Sequence, residues 1–449
     1  MLKISGKNLA VISVASICAL LFIWVIPNTI ALRHILLVIG CLSAIGLIQT
    51  YWSELNGFKI QILPLLCIFG LFSWVLIHYF YFSLNPDLEL SEIKGLWIRS
   101  FIGSIAAIGL AISILKFPKL RTYFYIALFS TPAINIASYF WASFVNGGLL
   151  KPNDFIWFLF TKIETSYFGS VAGAIAVGNL IVLLLQKNSQ PKLLPIILWL
   201  SGLILVLISA LMSTTKNGIS TALALCLLLT LVVVANIFFS GKKSKVTSGC
   251  FAVALLIVSY GVWESHNFQE HKAWEAIFQD AALGIDIDKN LQWQKIEGSV
   301  ELPRNSLGKP AVSSTYTRFA YAAVGIRLIA KYPLGYGSIN RSFTGILDLA
   351  KIPHEHESQA HSGWIDFGLA FGVPGLMLIF ATMISVIYLG LVSRSAVSLP
   401  WVIFCLTFLP FGLIAEISWK QYFEATIFFL TLSSAVILWG CDKLKAPLK

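Results

Sequence analysis

The chain has 449 residues, 57% of them hydrophobic and only 12% charged, with a mean hydropathy of +0.81. At roughly twenty apolar residues per crossing there is room for about a dozen spans and one sizeable soluble segment, which excludes a soluble enzyme and a single-span anchor. The net charge of +11 does not indicate a nucleic-acid partner, because the Lys and Arg residues are spread through short loops and not gathered on one face.

In chain order, apolar windows long enough to span fall at about 8–27, 31–51, 60–83, 95–116, 121–144, 165–186, 192–212, 219–240, 246–263, 366–392, 399–417 and 423–441. They predict roughly twelve helices, since backbone groups in lipid must be satisfied within the segment and the runs are too long and continuous for barrel strands. Turn punctuation separates them at Pro27-Asn28, Asn85-Pro86, Asn188-Ser189-Gln190-Pro191 and Pro400. The first run follows Lys3 and Lys7 without a small-residue cleavage site, and a second span follows at once, so it reads as a retained helix. None of the seven cysteines falls between residues 264 and 361, and no zinc-type cysteine spacing occurs.

Charge sets the sidedness. Lys3, Lys7, Lys59, Lys116, Lys119, Arg121, Lys187, Lys192, Lys242, Lys243, Lys245, Arg394, Lys443, Lys445 and Lys449 share one side, accompanied only by Glu54 and Asp442. The positive-inside rule makes that side cytoplasmic, together with both termini. Asp87, Glu89, Glu92, Asp154, Glu164, Glu416, Glu424 and the whole 264–361 stretch fall opposite. That stretch is too long for a simple connector and is expected to be a small folded unit, with amphipathic helices at 263–278 and 317–332. The expected fold class is therefore an all-α polytopic membrane protein with about 12 transmembrane helices. It divides into spans one to nine (1–263), one large, mainly helical extracytoplasmic segment (264–361) and spans ten to twelve (362–449).

The most informative residues lie between Thr317 and Leu378: Arg318, then Lys331-Tyr-Pro-Leu-Gly335-Tyr-Gly337, then His361-Ser-Gly-Trp-Ile-Asp-Phe-Gly-Leu-Ala-Phe-Gly372-Val-Pro-Gly375-Leu. This run resembles the O-antigen ligase and O-antigen polymerase superfamily. Its members carry an Arg-containing amphipathic helix, a Pro-x-x-Gly-x-Gly turn and a His-Asn/Ser-x-x-Leu…Gly-x-x-Gly-Leu segment that opens a membrane helix. The resemblance is specific over about sixty residues, with the span count and the place of the long segment in agreement. It implies a fold like the C-type glycosyltransferases.

His361 stands at the junction of the long segment and a membrane helix, beside the small pair Ser362-Gly363. A neutral imidazole there can take a proton from a sugar hydroxyl, and the resemblance implies that it is the catalytic base. Lys216 lies in the outward turn Ser213-Thr-Thr-Lys216-Asn-Gly218, where family members usually place an arginine associated with the donor pyrophosphate. Lysine keeps the charge and loses the bidentate fork. Arg318 is the second family cation, and Arg341 is a weaker third. Arg33 and His34, on another outward turn, are acceptor-side candidates, with lipid headgroup contact as the plainer account.

Metal chemistry finds little support. His356-Glu357 is followed by His361 one place too late for a His-Glu-x-x-His site, and His354 joins only a polar turn. Asp87-Leu-Glu89 sits where metal-dependent membrane glycosyltransferases place an acidic motif, yet acids before a helix are explained by its macrodipole. No metal and no cofactor are expected.

The resemblance implies transfer of O-antigen polysaccharide from undecaprenyl pyrophosphate to the lipid A core oligosaccharide. This inverting reaction would take place on the periplasmic face of the bacterial inner membrane, among membrane lipids. An O-antigen polymerase or a protein O-oligosaccharyltransferase would share the donor chemistry and differ in acceptor. A lipid-linked oligosaccharide flippase is a competing class. Transporters place ionisable groups near the midplane, whereas here the informative polar groups collect at one face.

Overall fold

The computed structural model describes residues 5–55, 60–151, 162–185, 193–239, 245–269, 275–294, 301–355, 359–418 and 420–443. Among the described residues, every expected apolar window falls mainly on helix. Nine stretches among the described residues are long and apolar enough to cross a membrane. They are α1 (Gly6–Ile23), α2 (Ile30–Leu55), α3 (Leu63–Tyr81), the continuous pair α4 (Pro86–Glu92) and α5 (Ile98–Lys116), α8 (Lys162–Leu185), α9 (Leu193–Ser213), α10 (Lys216–Phe239), α15 (Gly363–Ser393) and α17 (Lys420–Lys443). The chain is a multi-pass membrane protein.

The other three windows depart from simple spans. The window at 121–144 divides at Phe129 into α6 (Pro118–Leu128) and α7 (Ser130–Val145). The window at 246–263 lies on α11 (Lys245–Gln269), which runs beyond the expected end, and α16 (Leu399–Ile414) has only 16 residues. The single amphipathic helix expected at 263–278 is not formed. Its first part continues α11, residues 270–274 lie outside the described residues, and α12 (Ile277–Ile285) begins afresh.

The bundle is organised around its small-residue helices. Within the apolar window of α17, 89% of residues are buried inside the protein, against 22% for α2, so α17 is central and α2 faces lipid. Alongside it, α5 buries Gly103, Ser104, Ala106, Ala107, Gly109 and Ala111, which lets neighbouring backbones approach closely. Ala44 of α2 rests directly against Gly109. Hydroxyls cross-link the same core, with Tyr167 OH 2.9 Å from Thr426 Oγ1 and Thr431 Oγ1 donating to Ser104 Oγ at 3.0 Å.

A second, smaller core belongs to the long segment. Here α13 (Ser313–Lys331) buries Tyr316, Ala320, Tyr321, Val324 and Leu328 against Trp293 and against Phe343, Ile346 and Leu347 of α14 (Ser342–Ala350). Ile365 and Leu369 of α15 complete that core, which docks the segment onto the start of a membrane helix. Phe319 and Ile326 stand exposed on the other side of α13. Asp288, gripped by both guanidinium nitrogens of Arg327 at 2.7 Å, has its carboxyl held below the usual carboxylate range.

The glycines of the 331–337 turn follow from a break in α15. Gly372 is non-helical at φ 65, and Pro374 has no N–H to offer the carbonyl of Ala370 four residues back. The 333–337 strap takes over the orphaned groups. Gly337 N donates to Ala370 O at 2.7 Å, Tyr336 N to Leu369 O at 2.8 Å, and Val373 N to Pro333 O at 2.8 Å. Trp74 Nε1 serves the next carbonyl, that of Phe371, at 2.9 Å. Gly335 at φ 95 and Gly337 at φ 105 adopt left-handed backbone in contact with Ala370 O and the Glu89 carboxylate, where a Cβ would collide.

Candidate active site

His361 sits immediately before Ser362, the N-cap of α15, in the left-handed conformation at φ 56. Its Nδ1 lies 2.5 Å from Glu416 Oε1, and its ring stacks on Tyr321 at a 13° interplanar angle with centroids 6.1 Å apart. A carboxylate oxygen only accepts, so the proton of the neutral ring belongs on Nδ1, and Nε2 carries the lone pair. The imidazole is one-third exposed while Glu416 is almost enclosed. One turn into α15, the fully buried Asp366 accepts from Ala360 N at 2.6 Å and Ser418 Oγ at 2.8 Å. Asp366 thus ties together the residue before His361 and the residue two past Glu416.

Arg318 and the turn that carries Lys216 meet this group through one carbonyl. At the end of α16, Ile414 O accepts from Arg318 Nη1 of α13 at 3.4 Å and from Asn217 Nδ2, the neighbour of Lys216, at 2.5 Å. Residues 414–416 therefore gather His361, Arg318 and the 213–218 turn at one end of the bundle. Lys216 is the first residue of α10 and is partly exposed. Ser166 Oγ and Thr215 Oγ1 sit 2.5 Å apart, and a Cβ on Gly218 would strike both, which accounts for glycine two places after the lysine.

The remaining candidates stand apart. Arg341 is exposed at the start of α14, on a loop whose amides Ile339 N and Asn340 N donate to Glu92 at 2.7 and 3.1 Å. Among the described residues no hydrogen bond or ion pair joins Arg341 to His361, Glu416 or Lys216. Arg33 donates from Nη1 to Trp24 O at 3.0 Å and to Gln421 Oε1 at 3.2 Å. It joins a neighbouring polar group in which Gln421 also donates to Glu164 and Arg99 pairs with Glu424. His34 is exposed beside it.

Of the acids around Asp87-Leu-Glu89, Asp87 is exposed, while Glu89 and the nearby Glu92 face protein groups. Glu89 is buried against His78 Nδ1 at 3.0 Å, and Glu92 caps the amides just named. Among the described residues no group of three or more His, Cys, Asp or Glu side chains is placed to hold a metal. His354 contacts Ile352 O, while His356 and Glu357 lie outside the described residues.

Sequence reading did not single out Glu416 or Asp366 for this site. Each is a carboxylate at the end of an otherwise uncharged apolar run, and the membrane cost of such a group was the available signal.

Residues 201–380 match the family model described as O-antigen ligase. The match includes Lys216, Arg318, Arg341 and His361, and ends before Glu416. No curated protein matches the chain.

Proposed function

We propose that this chain, which belongs to the O-antigen ligase family over residues 201–380, is a membrane glycosyltransferase. In this reading it transfers O-antigen glycan from undecaprenyl pyrophosphate to the lipid A core oligosaccharide at the periplasmic face of the bacterial inner membrane. The observation that carries the reading is the meeting, around residues 414–416, of an oriented imidazole, Arg318 and the turn that bears Lys216.

The chemistry follows from that arrangement. An acceptor sugar hydroxyl gives its proton to His361 Nε2, and its oxygen bonds to the anomeric carbon as the bond to the pyrophosphate oxygen breaks. Glu416 holds the ring in the required tautomer and stabilises the imidazolium that forms. Lys216 and Arg318 take up the charge that develops on the departing pyrophosphate. A single displacement inverts the anomeric centre. Below Lys216, Ser220, Leu223, Ala224 and Leu227 follow at helical spacing along one face of α10. With Tyr260 and Trp263 of α11 they line an apolar groove of about 450 Å³. A prenyl chain suits that groove when its phosphates sit at the lysine.

The test is transfer in detergent with the purified chain, undecaprenyl-pyrophosphate-linked glycan and lipid A core, with and without EDTA. Glycosylated core in both samples, lost in His361→Asn, is the expected result. Lengthening of the donor glycan with unmodified core would assign the polymerase reaction instead. No product of either kind overturns the glycosyltransferase reading.

A further inference from the structure

Lys162, in the first described turn of α8, donates from Nζ to Thr214 Oγ1 at 2.9 Å. Thr214 lies two residues before Lys216, on a left-handed turn at φ 49. One helical turn further along α8, Ser166 meets Thr215. These two contacts, four residues apart on α8, pin the start of that helix along the 213–216 turn. Two ammonium groups from separate helices are thereby assigned to the same few residues of backbone.

Neither lysine has a carboxylate partner among the described residues. Lys216 occupies the first position of α10, where the macrodipole is already positive and acids are the ordinary choice. Glu164, the acid in the first turn of α8, is buried and accepts from Gln421 Nε2 at 2.5 Å. Two ammonium groups are thus held at one turn with no carboxylate hydrogen-bonded to either among the described residues, an arrangement that suits an anion. The ammonium of Lys162 spends one donor on Thr214 and keeps two, and the Thr214 hydroxyl, accepting from it, retains its own proton for a further acceptor.

We propose that Lys162 is a phosphate-binding residue that acts with Lys216 on the diphosphate of the lipid-linked donor. The pair replaces the single guanidinium fork that an arginine at position 216 would supply. The inference rests on the reading of Lys216 as a diphosphate ligand. One ammonium offers a point charge and a guanidinium two parallel donors, so two ammoniums are the minimal substitute for one fork. If that is the physical reason for Lys162, an arginine at 216 makes Lys162 dispensable.

The experiment measures binding of 32P-labelled undecaprenyl pyrophosphate to the purified full chain in nanodiscs. The variants are Lys162→Gln, Lys162→Arg, Lys216→Ala, Lys216→Arg and Lys162→Gln/Lys216→Arg, each checked for an unchanged thermal unfolding profile. Loss of one charged contact is expected to weaken binding about tenfold in Lys162→Gln. Lys162→Arg should bind like the parent, and the double variant should bind like Lys216→Arg alone. Parent-like binding by Lys162→Gln alongside weak binding by Lys216→Ala overturns the role of Lys162 and leaves the site reading standing. Parent-like binding by both overturns the two together. An additive loss in the double variant also rejects the shared-fork account.

Discussion

At the scale of single residues, the backbone of His361 carries as much meaning as its ring. A side-chain-bearing residue at φ 56 costs about 1–2 kcal/mol relative to ordinary helix or strand backbone, and here that geometry accompanies the imidazole's approach to Glu416. Asparagine tolerates this region, so His361→Asn removes the base without straining the turn. Transfer should fall by roughly 10²- to 10⁴-fold in kcat, with normal amounts of protein in the membrane fraction. Glu416→Gln keeps a hydrogen-bonding side chain and removes the charge that favours imidazolium. We expect kcat to drop at least tenfold with KM nearly unchanged, and an equal loss in KM alone would show that Glu416 serves binding instead. His361 was legible in the sequence because a local pattern surrounds it. Glu416 was not, since 55 residues separate the pair and no local pattern records which acid folds back onto which histidine.

At the scale of elements, the interrupted helix α15 and its strap form one unit. Gly335→Ala would push a Cβ into the Ala370 carbonyl on a left-handed backbone. This should cost about 1–3 kcal/mol and is measured as a lower unfolding temperature in detergent. Trp74→Phe keeps an aromatic ring and withdraws the N–H given to Phe371 O. An unserved carbonyl in the membrane core predicts a loss of about 1–3 kcal/mol, and unchanged thermal stability would show that another group serves it. The glycine spacing and Pro374 were visible in the sequence as turn and break signals. Their coupling was not, because hydrogen bonds between residues 333–337 and 369–373 depend on how the long segment folds back. The same holds for α13. Its helical character is readable from spacing, whereas only packing decides that Tyr316, Ala320 and Val324 turn inward while Phe319 and Ile326 remain exposed.

At the scale of the whole molecule, the candidate site and the neighbouring Arg33–Gln421–Glu164 and Arg99–Glu424 groups join residues that charge counting assigns to the acidic side. The opposite side carries the lysine-rich loops. Cysteines placed at Asp87 and at Arg394 should therefore react differently with a membrane-impermeant thiol reagent. Asp87→Cys is labelled from the periplasm of intact cells and Arg394→Cys only after the membrane is opened. Labelling of both from outside would overturn the assigned sidedness.

Hydropathy, charge asymmetry and a local motif are additive properties of short windows, and they sufficed for a polytopic helical membrane protein and for proposing His361 as its base. The strap across α15, the His361–Glu416 pair and the Lys162–Thr214 contact arise between windows far apart in the chain. In the membrane core, where water cannot serve a stray donor or acceptor, polar groups are driven to seek partners within the fold. That search is settled by packing geometry, so the identity of the partners appeared only with the tertiary structure.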